Sequence, residues 1–81
     1  MERSQTRGLA RLMLRCPERR QEFRRKAATD ARFAELCEAY EAACAAAEYW
    51  AKSSEPVSHD RTCEYRALAA AVEDDIFSQI T

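Results

Sequence analysis

From residue 33 onward the apolar positions fall into two helical stripes separated by one polar break. Phe33, Tyr40 and Ala47 repeat every seven residues, Leu36, Ala43 and Trp50 repeat in step between them, and Cys37, Cys44 and Ala51 widen the stripe. That alternation, held over nearly three heptads, predicts an amphipathic helix over residues 29–52, about 34 Å long at 1.5 Å per residue. Thr29 is placed to cap it, and Asp30 suits the positive end of its dipole. Residues 53–59, SSEPVSH, form the obvious loop, because two serines and a proline resist helix. Ser58 or Asp60 then caps a second long helix, residues 60–80, with Tyr65, Leu68, Val72, Ile76 and Ile80 on one face and Phe77 beside them. Two long amphipathic helices joined by a short loop predict an antiparallel hairpin.

Folding that hairpin about the loop centre sets residue i opposite roughly 111 − i. Phe33 then meets Ile80 and Phe77, Leu36 meets Ile76, Tyr40 meets Val72, and Ala43 meets Leu68. The alanine-rich stretch 42–47 comes opposite 67–71, where small residues let the axes approach closely.

Ahead of the hairpin, residues 1–28 form a basic arm. Leu9, Leu12, Met13 and Cys16 fall at i, i+3, i+4 and i+7, a short apolar face. Pro17 interrupts the arm and is suited to open a second short helix running through Phe23 and Ala27. The expected fold is all-α: a single domain consisting of an antiparallel helical hairpin with a short N-terminal helical arm.

The pattern D30-A-R-F33-A-E-L36-C-E-A-Y40-E-A-A, then W50, a short polar loop, E64-Y-R-A-L68 and a closing E73-D-D-I76 resembles the YdcH-like group of small uncharacterised bacterial proteins. The likeness spans about residues 29–80 and leaves the basic arm unmatched. It departs in the second helix, where such relatives carry lysines and this chain has Glu73, Asp74 and Asp75. The resemblance implies a helical hairpin of unknown function, with no catalytic residues to carry over.

Charge changes this picture most. Residues 1–32 hold ten of the 13 Lys and Arg against four acids, a net of +6, while residues 33–81 carry −7; the total of −1 hides the asymmetry. Arg7, Arg11, Arg15 and Arg19 recur every four residues, a spacing at which like charges repel along a helix. Either a phosphate partner or internal acids relieve that cost. Glu73, Asp74 and Asp75 sit at the end of the last helix, where they oppose its dipole, and the hairpin brings them back toward the arm. Internal or subunit-to-subunit pairing is therefore expected ahead of nucleic acid, with an anionic membrane surface behind. No aromatic interleaves the Arg stripe, and an isoelectric point of about 5.8 is not that of a nucleic-acid binder. Glu35, Glu38, Glu41 and Glu48 are expected on the solvent side of the first long helix.

Eighty-one residues support only a marginal core, so association with a second copy is expected to supplement it. Tyr40, Trp50 and Tyr65 are rings that a lone hairpin cannot fully cover, and aromatics are favoured at interface centres. For Trp50, packing beneath the arm is the competing expectation. Cys16, Cys37, Cys44 and Cys63 include no close C-x-x-C pair and read as small buried hydrophobes; a disulfide, or a metal site recruiting His59, are the alternatives. One histidine and one glycine offer neither a phosphate-cradling loop nor a nucleophile with its base, so no catalysis and no cofactor are expected. No apolar run approaches the roughly 20 residues of a bilayer span, and Arg11 and Arg15 break the opening segment as a secretory signal. The expected reading is a cytoplasmic protein acting through contacts with itself or another protein.

Overall fold

The computed structural model describes residues 1–80. Among them are four α-helices: α1 (Arg3–Arg15), α2 (Arg20–Thr29), α3 (Ala31–Lys52) and α4 (Ser58–Ser78), with a 3-10 turn at Pro17–Arg19 joining the first two. The fold is all-α, and its longest feature is the α3–α4 hairpin.

Each start and stop has a local cause. Glu2 accepts from the Ser4 and Gln5 N–H groups while the Gln5 side chain accepts from Glu2 N–H, a reciprocal cap that starts α1 at Arg3. Cys16 leaves the helical region and Pro17 takes the first position of the following turn, where its missing N–H costs nothing. Thr29 does not cap α3. Its hydroxyl donates back to the Arg25 carbonyl at the end of α2, and Asp30 accepts from the Arg32 and Phe33 N–H groups instead. Lys26 also reaches Asp30 at 3.2 Å, and that contact, with the Phe33 N–H, holds the carboxyl below its ordinary range. α4 starts at Ser58 rather than residue 60, with Val57 in the cap position and no side-chain cap. Ser58 turns inward, and its hydroxyl is buried without a hydrogen-bond partner among the described residues.

The core lies at the end of the hairpin away from the loop, and all four helices feed it. The largest fully buried side chains are Leu12 from α1, Phe23 from α2, Phe33 and Cys37 from α3, and Ile76 from α4. The Phe23 ring lies 6.4 Å from Phe33 and 6.1 Å from Phe77. Burying each such side chain contributes on the order of 1.5–3 kcal/mol, so the arm carries a share of the core comparable to that of the hairpin. The hairpin register agrees with its expectation at Tyr40, which hydrogen-bonds Glu73, one residue from Val72. At residue 68 the stripe slips. Leu68 is half exposed and Ala69 takes the inward position, continuing through Thr62 to Ser58.

α1 runs in the same direction as α3, bringing Gln5 to Glu38 and Arg11 to Glu41 and Glu48. Their crossing point is Gly8, the chain's lone glycine. A Cβ at Gly8 would overlap the Cys37 backbone carbonyl, so the two backbones meet where only glycine fits. In an open helix, glycine to alanine stabilises by about 1 kcal/mol. Here Gly8→Ala is expected to have the opposite sign, destabilising by about 1–3 kcal/mol in urea melts because the arm must move off α3.

Candidate interaction site

Closing the helices at Gly8 brings the arginine stripe of α1 over the acids of α3 and α4. Arg11 is the hub: its Nε donates to Glu41 at 2.6 Å, and its two terminal nitrogens donate to Glu48 at 2.8 and 3.1 Å. The Glu41 side chain keeps only 12% of its exposure, so the pair is sheltered from screening on one side. The hydrogen bonds from Arg11 hold the Glu48 carboxyl below its usual range, and the same contacts raise the Arg11 guanidinium. Arg15 Nε lies 2.8 Å from Glu73 Oε2, and the same oxygen accepts from the Tyr40 hydroxyl at 2.8 Å. Arg19 pairs with Glu22 and donates to the Ile80 carbonyl at 3.1 Å, tying the arm to the end of the chain. Between these residues lies an open cleft of about 300 Å³, lined by Arg11, Arg15, Tyr40, Cys44, Glu48, Arg66 and Glu73.

Three expectations change as a result. Glu41 and Glu48 do not face solvent alone; they lie beneath the arm and are its principal anchors, with Glu38 reached by Gln5. Of the three acids only Glu73 pairs with the arm: Asp74 and Asp75 are exposed, about 100° and 200° around α4 from Glu73, and among the described residues neither makes an ion pair. Tyr40 is not an interface ring. It is 4% exposed, and burial followed by its bond to Glu73 raises its hydroxyl above the ordinary tyrosine range. Arg7 faces outward on α1 without an ion pair among the described residues, and Trp50 and Tyr65 are half-buried.

The cysteines divide by environment. Cys37 is fully buried, and desolvation pushes its thiol up to about 11; burial also raises Cys44. Cys63 is exposed, against expectation, with its Sγ 3.8 Å from His59 Nε2 one turn away. Among the described residues no group of three or more His, Cys, Asp and Glu side chains converges as a metal site would require. A larger open groove of about 570 Å³ lies between the start of α1, α2 and α3; alanines 27, 28, 31 and 34 line it, with Arg24 and Glu35 its charged groups.

The flank of the hairpin opposite α1 is uncovered. Arg66, Ala69, Ala70 and Glu73 turn toward the cleft under the arm. At 100° per residue, Leu68 sits about 200° around α4 from both Arg66 and Ala70, hence on the other side. There Leu68 is 50% exposed, between half-buried Tyr65 and Val72. Trp50 packs edge-on against exposed Tyr49, with ring centroids 5.2 Å apart. Sequence reasoning assigned Leu68 to the hairpin interior. Its membership of both a 3-4 and a 4-4 spacing left that position ambiguous.

Comparison with family models, curated proteins and solved structures returned no match. Among the described residues no helix is long and apolar enough to cross a membrane.

Two tests bear on this site. Glu41→Gln with Glu48→Gln leaves Arg11 half-sheltered and unpaired, and is expected to destabilise by about 1.5–3 kcal/mol, the range for charge-assisted bonds. The loss should shrink as salt rises, and chemical melts in low and high salt check it. The second test is alkaline. A folded thiol near 11 for Cys37 against 9.0 unfolded keeps its proton longer in the native state, so stability is intact below pH 9. It then falls between pH 9 and 11 by about 2–3 kcal/mol from this group, at 1.36 kcal/mol per unit. Cys37→Val should flatten that part of the stability–pH curve.

Proposed function

We propose that this chain is a non-catalytic helical module that works through protein–protein contact, using the hairpin flank that its own arm leaves bare. The observation that carries this reading is Leu68, half exposed at the middle of α4 between half-buried Tyr65 and Val72. On a domain this small, an exposed leucine flanked by the part-exposed edges of Tyr65 and Val72 favours a partner surface. The pairing of Arg11 and Arg15 with acids of α3 and α4 supports this reading, since those two cations of the arm are already engaged within the fold. The absence of a catalytic role rests on chemistry. Arg11, Arg15 and Tyr40, which meet in the cleft, are already paired with Glu41, Glu48 and Glu73, which supports a non-catalytic reading of that cleft. The partner is a second copy, another protein, or both, in the cytoplasm. The likeness to the YdcH-like group belongs to the same proposal and adds a hairpin architecture without a known activity.

One observation keeps a second reading in view. Arg3, Arg7, Arg20, Arg24, Arg25 and Arg32 make no ion pair among the described residues, and an anionic surface or nucleic acid would find them free. Light scattering after size exclusion, at low and high salt, tests the main reading: a concentration-dependent mass above one chain is expected. A monomer at high micromolar concentration with a concentration-independent melt contradicts self-association. Salt-sensitive binding of mixed-sequence DNA or RNA at ~150 mM salt, lost with residues 1–16, would move the function to the arm.

A further inference from the structure

The outer seam of α4 specifies what covers it. Arg61, Tyr65, Leu68, Val72, Asp75 and Gln79 follow one another at alternating steps of four and three, the 3.5-residue repeat by which one helix presents a continuous line to another. The line is apolar at its centre and oppositely charged at its ends. Leu68 stands seven residues from Arg61 and seven from Asp75, so the charges are placed symmetrically about it. Asp75 makes no ion pair among the described residues, and the partner of Arg61 is Glu64, three residues on, in a contact with both side chains at least half exposed. Such an exposed pair contributes little and is readily exchanged.

Resting on the reading of this flank as a contact surface, we infer that its occupant is a second copy of the same chain, with the two α4 helices antiparallel and Leu68 on the two-fold axis. Residue i of one copy then faces 136 − i of the other. Arg61 of each lies over Asp75 of the second copy, twice by symmetry, and the two Leu68 side chains meet between the Tyr65 and Val72 pairs. An in-register parallel pair would set Arg61 on Arg61 and Asp75 on Asp75, so the charges select the antiparallel arrangement as well as stabilising it. Asp75, which opposes the dipole of its own helix, gains a cation that the fold does not supply. The arm stays on the opposite side and is not disturbed.

The test uses the full chain and sedimentation equilibrium. Arg61→Asp and Asp75→Arg are each expected to weaken the dimer by about tenfold or more, and the double exchange to recover most of that loss, because attraction is restored with the signs reversed. Leu68→Cys, with Cys63→Ser to remove the nearby exposed thiol, should cross-link into a dimer under mild oxidation. Facing positions on helices packed 8–10 Å apart come within the roughly 4.4–6.8 Å a disulfide needs between Cα atoms. A dimer that ignores both charge reversals and does not cross-link at position 68 overturns the antiparallel seam while leaving an interaction module in place. A chain that stays monomeric at high micromolar concentration overturns the seam and self-association together.

Discussion

The close approach of α1 to α3 at Gly8 is the contact on which the other contacts depend. Without a Cβ, the Cys37 carbonyl comes to the backbone of α1, and Leu9 and Leu12 follow onto the apolar face of α3. The same approach carries Arg11 and Arg15, one and two turns further along, to acids on two different helices. Glycine weakens α1 as a helix, and the gain is tertiary: a short arm becomes the third wall of a core that two helices alone would leave open.

Polar and apolar contacts divide the molecule lengthwise. Near the α2–α3 junction the four helices converge on Leu12, Phe23, Phe33 and Ile76, and packing dominates. Toward the loop α1 has ended and the hairpin narrows to alanines with Thr62 and Ser58; stability there rests on small residues packed closely. The ion pairs from Arg11 and Arg15 lie between these zones. Because Glu41 and Glu73 are sheltered and their partners are forked, these pairs set the angle of the arm more than a surface pair could. With the arm fixed to one side, the opposite side of α4 is defined as the bare one.

The seven-residue repeats of Phe33, Tyr40 and Ala47, the proline after α1 and the SSEP break were enough to read the helices and the hairpin, since each follows from backbone rules acting within a few residues. The pairing of Arg15 with Glu73 was also readable, because hairpin geometry returns the end of α4 to the arm. What local rules could not decide was which side of α3 the arm would take. That choice depends on Gly8 and turns Glu41 and Glu48 from solvated acids into anchors. The signal was present as the lone glycine on the Leu9–Leu12 face. Leu68 was misplaced for a related reason: its spacing from Tyr65 and Val72 suits either flank of α4, and only the position of α1 separates the covered flank from the bare one. The cap of α3 falls at Asp30 rather than Thr29, and α4 begins behind Val57 rather than behind a Ser58 or Asp60 cap, shifts of a residue or more of the kind helix ends show.

Native-state hydrogen exchange of the Leu9 and Leu12 amides tests most directly whether the arm is part of the core. If α1 is bound through Gly8 and the Arg11 network, these amides exchange with the same protection as those of Phe33 to Tyr40, opening only when the whole domain opens. Amides of Leu9 and Leu12 that exchange freely while α3 remains protected would mean that the arm is an independent appendage, and the account built on its docking would be wrong.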